Sequence, residues 1–167
     1  MVEMEVQGIT LDPITNMPVL LLKSKENNEI LTIWIGVFEA NSIAMYLESM
    51  TYPRPLTYDL FTNILNSLST SVENVTIHTL KDNTYYASII LKDQQGKTVE
   101  IDARPSDAIN IALRSGCPIL VSEEVLAEAN NGKKEKIDEE DLKEWIESLK
   151  PEDFEKNIEF WKTKAFI

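Results

Sequence analysis

The chain holds one cysteine and one histidine in 167 residues. The lone Cys117 excludes an internal disulfide and any site built from several cysteines; it reads as a packed small hydrophobe. The lone His78 lies in a strand-like stretch between Ile77 and Thr79, with no acid or nucleophile at a telling spacing. A single histidine excludes multi-histidine metal sites and argues against a histidine-dependent nucleophile triad. Glycine is scarce too, with 5 scattered residues, so no Gly-rich phosphate loop can be drawn. Aromatic side chains do not interleave with basic ones, which removes a stacking platform for single strands. No apolar run reaches membrane-spanning length. The opening Met1-Val2-Glu3-Met4-Glu5 has neither a basic segment nor an apolar one. A cytoplasmic protein without membrane attachment is the expectation.

Positive charge is the other shortage. Lys and Arg total 16 against 28 Asp and Glu, a formal net charge of −12. Residues 1–129 carry 8 basic and 17 acidic side chains, a net of −9, and residues 130–167 carry 8 and 11, a net of −3. The acidity belongs mainly to the body of the chain. Such a surface repels phosphate backbones at long range, so a nucleic-acid partner needs a local basic patch or bound cations.

What is present is a repeated order of elements. Glu3 to Leu11, Val19 to Lys23 and Ile30 to Ile35 read as strands, the last with Leu31, Ile33 and Ile35 on one face. Phe38, Ala40, Ile43, Ala44 and Leu47 recur at helical spacing, and a second helix starts at Thr57 as N-cap and runs to Leu68. Val72 to Leu80, Tyr85 to Lys92 and Thr98 to Asp102 are three further strands, the first two joined by a tight turn at Lys81-Asp82-Asn83. Pro105 suits the first turn of the next helix and Gly116 the position just past its end. Pro118 to Val121 is short and extended, and Ser122 caps a helix reaching Ala129.

The halves also match in residues. Glu39-Ala40-x-x-Ile43-Ala44 returns as Asp107-Ala108-x-x-Ile111-Ala112, an offset of 68, and Leu31-x-Ile33 returns as Val99-x-Ile101 at the same offset. The expectation is an α+β fold built by internal duplication of a β3α2 unit, with copies near 1–69 and 70–129. Six strands sharing one core favour a single strongly curved, barrel-like mixed sheet flanked by helices. Residues 130–137 read as a linker by composition. Residues 138–167 read as an acidic helical tail, with Leu142, Trp145, Ile146 and Leu149 on one face of its first helix. Such short helices cannot hold a core alone: they dock on the body, on a sister subunit or on another protein, or they stay mobile.

Chemistry-bearing residues gather at two helix starts. In Ile101-Asp102-Ala103-Arg104-Pro105-Ser106-Asp107, a strand-end acid and a helix-start acid flank an arginine. Asp102 and Asp107 can converge on a divalent cation that activates water against a phosphodiester. The competing account is structural. The helix dipole favours an acid in a first turn, Glu39 holds the equivalent place in the first half, and Arg104 can bridge the halves. Asp102, Arg104 and Pro105 are not echoed, since Trp34, Gly36 and Val37 stand at the matching positions. The second cluster is Arg54-Pro55-Leu56-Thr57-Tyr58-Asp59, where Arg54 can bind an anion or pair with a carboxylate across the repeat.

Those two strings, with Pro118-Ile119-x-Val121-Ser122-Glu123-Glu124-Val125, resemble the bifunctional nuclease family. The resemblance covers about residues 2–129. It implies a duplicated β3α2 fold, often as a dimer, and a name earned by plant members with DNase and RNase activity. Where many members carry histidine after the Arg-Pro-Leu-Thr string, this chain has Tyr58. The expected activity is phosphodiester hydrolysis of DNA or RNA with Mg²⁺ or Mn²⁺. Asp102 and Asp107 would be metal ligands, Asp59 a further acid, and Arg54 and Arg104 the phosphate holders, in a homodimer. The rival is a binding or interaction module without catalysis.

Overall fold

The structure, a computed structural model, describes residues 1–133. The tail at 138–167 and the end of the proposed linker lie outside the described residues. Strands β1 (Val2–Leu11), β2 (Pro18–Ser24) and β3 (Ile30–Trp34) form one antiparallel meander. Strands β4 (Ser71–Lys81), β5 (Thr84–Lys92) and β6 (Thr98–Ala103) form another. A short β7 (Ile119–Val121) lies between them, antiparallel to β1 and parallel to β4. One mixed sheet of 7 strands results, in the order β3-β2-β1-β7-β4-β5-β6. Helices α1 (Val37–Leu47) and α2 (Thr57–Ser67) follow the first meander. Helix α3 (Pro105–Ser115) follows the second, and α4 (Glu123–Lys133) follows β7.

Local chemistry explains most boundaries. Asp82 and Asn83 both adopt positive φ, 49° and 57°, so they form the two-residue primed turn that joins twisted antiparallel strands. Pro105 opens α3, where its missing N–H costs nothing, and Gly116 closes it in the left-handed region at φ 65°. Two readings need adjustment. Thr57 is the first helical residue of α2 rather than its cap; Leu56 holds the cap position, and Asp59 Oδ2 accepts its N–H at 2.9 Å. Helix α4 runs through Asn130 to Lys133, into the stretch that composition marks as linker.

The barrel expectation is corrected: the sheet is open, with β3 and β6 as its edges. Closure needs β3 to pair with β6, whereas β7 inserts in the middle and joins the halves there. The extended segment at Pro118 to Val121 thus supplies a seventh, central strand. The sheet still curls: Tyr85 on β5 donates its hydroxyl to the Thr32 carbonyl on β3 at 3.5 Å. On the face of Leu20, Leu22, Ile77 and Ile89, one continuous core receives Ile43 of α1, Ile109 of α3 and Val125 of α4.

Ile109 is fully buried in that core. Ile109→Ala should cost about 2–5 kcal/mol in urea unfolding, the range for emptying a well-packed aliphatic site. A loss well under 1 kcal/mol would contradict the central place given to α3.

Candidate functional site

Helices α1 and α3 meet along a polar seam in which residues 68 apart in sequence share partners. Glu39 and Asp107, each in the first turn of its helix, both bind the guanidinium of Arg104. Arg104 Nη2 donates to Glu39 Oε1 at 2.6 Å and to Asp107 Oδ1 at 3.0 Å, and Nε donates to Asp107 Oδ2 at 2.6 Å. One turn further along, Ser42 and Asn110 are both buried. Asn110 donates to the Ser106 carbonyl at 2.9 Å and to the Glu39 carbonyl at 3.3 Å. Beyond them, the Arg114 guanidinium lies 5.4 Å from the ring centroid of Tyr46, its counterpart at the same offset.

Arg114 is the anchor of this seam, with a side chain only 7% exposed. Its Nε donates to Asp59 Oδ1 on α2 at 2.6 Å. Nη1 donates to Asn110 Oδ1 at 3.1 Å, and Nη2 to Ser42 Oγ at 3.0 Å. Tyr58 stacks on it at 5.5 Å to the centroid. Three helices are tied together by one buried charge. Burial alone would raise the Asp59 carboxyl, but the Leu56 N–H and the Arg114 guanidinium outweigh it and hold the group below its ordinary value.

Tyr58 connects anchor and cluster. Its hydroxyl donates to Asp107 Oδ1 at 2.5 Å. Burial first, and this hydrogen bond second, push the phenol upward, so it stays a neutral donor. The carboxylates of Asp107 and Glu39 in turn hold Arg104 firmly protonated. The residue that departs from the family string therefore supplies the donor that orients Asp107.

The predicted site residues separate. Arg104 and Asp107 are brought together, and Asp59 stands behind them on Arg114. Asp102 is not brought to Asp107. In β6, Ile101 and Ala103 pair with Ile89 and Ala87, on the face that α3 covers. Alternation turns the exposed Asp102 to the opposite face. Arg54 is exposed in the loop before α2 and makes no hydrogen bond or ion pair among the described residues. His78 and Cys117 stay outside the site; His78 Nδ1 meets only Thr79 Oγ1, at 2.9 Å, and burial raises the Cys117 thiol to about 11. Glu39, Tyr58 and Arg114 enter the site although no chemistry was assigned to them from sequence. The echo of Glu39 with Asp107 was the available signal, because helices at equivalent places in two like halves tend to meet.

A divalent cation does not fit the cluster as arranged. Asp107 has both oxygens engaged by Arg104 and Tyr58, and the space between Glu39 and Asp107 is held by the guanidinium. Among the described residues no group of three or more His, Cys, Asp or Glu side chains is placed to hold an ion.

A family model described as the bifunctional nuclease domain matches residues 20–134. The chain belongs to the bifunctional nuclease family. It is similar to uncharacterized protein MT1877 of Mycobacterium tuberculosis, 38% identical over 163 residues, covering 91% of this chain and 97% of that one. It is also similar to Bifunctional nuclease 1 of Oryza sativa subsp. indica, 31% identical over 119 residues, covering 69% of this chain and 35% of the plant protein. Bifunctional nuclease 2 of Arabidopsis thaliana is 29% identical over 120 residues and is covered to 36% or so of its length, as the rice proteins are. No described helix is long and apolar enough to cross a membrane.

A carboxylate depressed in the folded state stabilises the fold fully above its ordinary value, 3.8 for Asp59, and loses that contribution as pH falls through the folded value. Asp59→Asn should therefore lower Tm at neutral pH and flatten the acid limb of Tm against pH. An acid limb as steep as that of the parent would remove Asp59 from the anchor.

Proposed function

We propose that the chain is a nuclease that breaks the phosphodiester bonds of DNA or RNA at the Glu39–Tyr58–Arg104–Asp107 cluster. One observation supports this reading: in a member of the bifunctional nuclease family, two carboxylates, a guanidinium and a neutral hydroxyl donor from the starts of three helices converge around the exposed Arg104. Arg104 is 65% exposed, and its Nη1 makes no hydrogen bond among the described residues, so it can take a phosphate oxygen. Glu39 accepts one hydrogen bond, on Oε1, which leaves Oε2 able to take a proton. Arg54, four residues before Tyr58 in the loop into α2, adds a second cation for the substrate backbone. Asp59 acts through Arg114 and is a positioning residue. The two halves are read as copies of one unit, and the working form as a homodimer. The exposed Leu60 and Ile64 of α2, with Leu68 just past its end, support a surface where copies meet.

One observation favours the non-catalytic reading. The cluster sets two carboxylates against one guanidinium, inside a body that is already acidic. Phosphate is not drawn to it from a distance.

Highly purified protein assayed on DNA and RNA oligonucleotides, with Mg²⁺, with Mn²⁺ and with chelator, separates the readings. Cleavage is expected, and Arg104→Ala should lower kcat by about 100-fold, as for loss of one preorganised donor to a transition-state charge. Cleavage that copurifies unchanged with Arg104→Ala comes from a contaminant, and absence of cleavage under every condition leaves the binding module.

A further inference from the structure

Each of the three helices around the cluster opens with an acid in its first turn: Glu39, Asp59 and Asp107. Each acid also holds an arginine. We infer that Glu39 is a movable latch on Arg104: it covers half of the edge by which the guanidinium would grip a phosphate, and it yields that edge by swinging back onto the start of its own helix. The inference rests on the nuclease reading for the place where phosphate is met, and goes beyond it to how that place is opened.

The first support is how the guanidinium hydrogens are shared. Asp107 grips Arg104 from the side, with Oδ2 on Nε at 2.6 Å and Oδ1 on Nη2 at 3.0 Å. That grip takes the Nη2 hydrogen nearer Nε. The Nη2 hydrogen facing Nη1 goes to Glu39 Oε1, at 2.6 Å. Nη1 donates to nothing among the described residues. A phosphate held by two parallel N–H groups needs the end formed by Nη1 and Nη2 together. Glu39 stands on half of that end and Asp107 on none of it. A phosphate can therefore replace Glu39 while Asp107 keeps Arg104 oriented.

The second support is independent and concerns where Glu39 can go. Asp59 shows the alternative: Oδ1 takes Arg114, while Oδ2 caps its own helix on the Leu56 N–H at 2.9 Å. Glu39 holds the same place relative to Gly36, the cap of α1, and a glutamate there can reach back to the cap N–H. Yet Oε2 accepts nothing and the Gly36 N–H donates to nothing among the described residues. The φ of Gly36, −68°, is open to any residue, so backbone freedom does not explain the glycine. A Cβ there would stand 2.1 Å from Glu39 Oε2. What the glycine supplies is room: the carboxylate already rests in the space a side chain would fill, beside an unused donor. Leaving Arg104 costs little, because the ion pair opens to water, and the helix start favours the arriving carboxylate. Two seats so close in free energy let an incoming anion decide between them.

The test titrates the isotope-labelled full chain with inorganic phosphate and follows two signals by nuclear magnetic resonance. One is the Arg104 Nε–H, assigned by its loss in Arg104→Lys; the other is the Gly36 amide. In the parent both should move with one midpoint, the Gly36 amide downfield as it gains a carboxylate acceptor. In Glu39→Ala the Arg104 signal should move at about three- to fivefold lower phosphate, the gain for removing one exposed ion-pair competitor, and the Gly36 amide should stay still. Gly36→Ala closes the second seat, so the midpoint at Arg104 should rise about threefold. Added to Glu39→Ala it should have no effect, which separates a latch from a general change of charge. A Gly36 amide that stays still in the parent, a Gly36→Ala effect that persists without Glu39, or an Arg104 signal that phosphate never moves overturns the inference. On DNA and RNA oligonucleotides, Glu39→Ala should lower KM together with kcat. Cleavage by no variant, with the phosphate titrations as expected, overturns the nuclease reading and upholds the latch.

Discussion

A single buried charge sets the terms for the helical layer. Arg114 is almost wholly withdrawn from water, and an unpaired guanidinium there would cost several kcal/mol. Every donor it turns inward must therefore meet an acceptor, and the acceptors come from α1, α2 and α3: Ser42, Asp59 and Asn110. That requirement fixes the distance between α1 and α3 and holds the start of α2 over both. Among the described residues no buried side-chain polar atom lacks a partner, so the requirement is met throughout. Tyr58 is placed by the same demand, because its ring covers Arg114 before its hydroxyl reaches Asp107.

The two arginines of α3 divide the work by depth. Arg104 makes three hydrogen bonds to carboxylates against one from Arg114, but 65% of its side chain faces water. Ion pairs so exposed add little to stability, about 0–1 kcal/mol, because solvent screens them and ordering the chains costs entropy. The partners of Arg104 are less exposed, Glu39 at 15% and Asp107 at 27%, so Arg104 also relieves the repulsion between two carboxylates while its own side chain stays largely in water. It costs the fold little to keep and leaves a donor facing outward, which is the profile of a group that meets something from solution. Arg114 has the opposite profile and serves that group by holding Asp59, Tyr58 and the seam in place.

Much of this could be read in the chain itself. Alternation and turn residues located six strands and the four helices, and Asp82-Asn83, Pro105 and Gly116 marked their boundaries through backbone preferences that act locally. The offset of 68 between Glu39 and Asp107 foreshadowed the seam. Two things were not legible. The sheet stays open because three residues, Ile119 to Val121, enter at its centre, and a stretch so short carries no periodicity to announce whether it pairs or merely connects. The face of Asp102 was hidden for a related reason. Its proximity to Asp107 in sequence suggested a shared ion, while the two-residue repeat of a strand sends it to the far side of the sheet from α3. Arg114 was overlooked because a charged residue near a helix end is ordinarily a solvated one favoured by the helix dipole.

Likeness between the halves also bears on why there is one cluster rather than two. Equivalent first-turn acids, Glu39 and Asp107, face each other, and such a pair would repel in the absence of a cation. The cap positions decide how that repulsion is relieved. In the second half the cap is Arg104, whose side chain crosses to Glu39; in the first half the matching residue is Gly36, which has no side chain to send back. Were an arginine present at both caps, the acids would be fully neutralised and the seam would be a closed ionic lock. With glycine at one, the pair shares a single guanidinium, one carboxylate oxygen is left without a donor, and the space beside it stays open. The asymmetry between two otherwise matched helix starts thus leaves a structural contact with one carboxylate oxygen that accepts no hydrogen bond among the described residues and one guanidinium facing water.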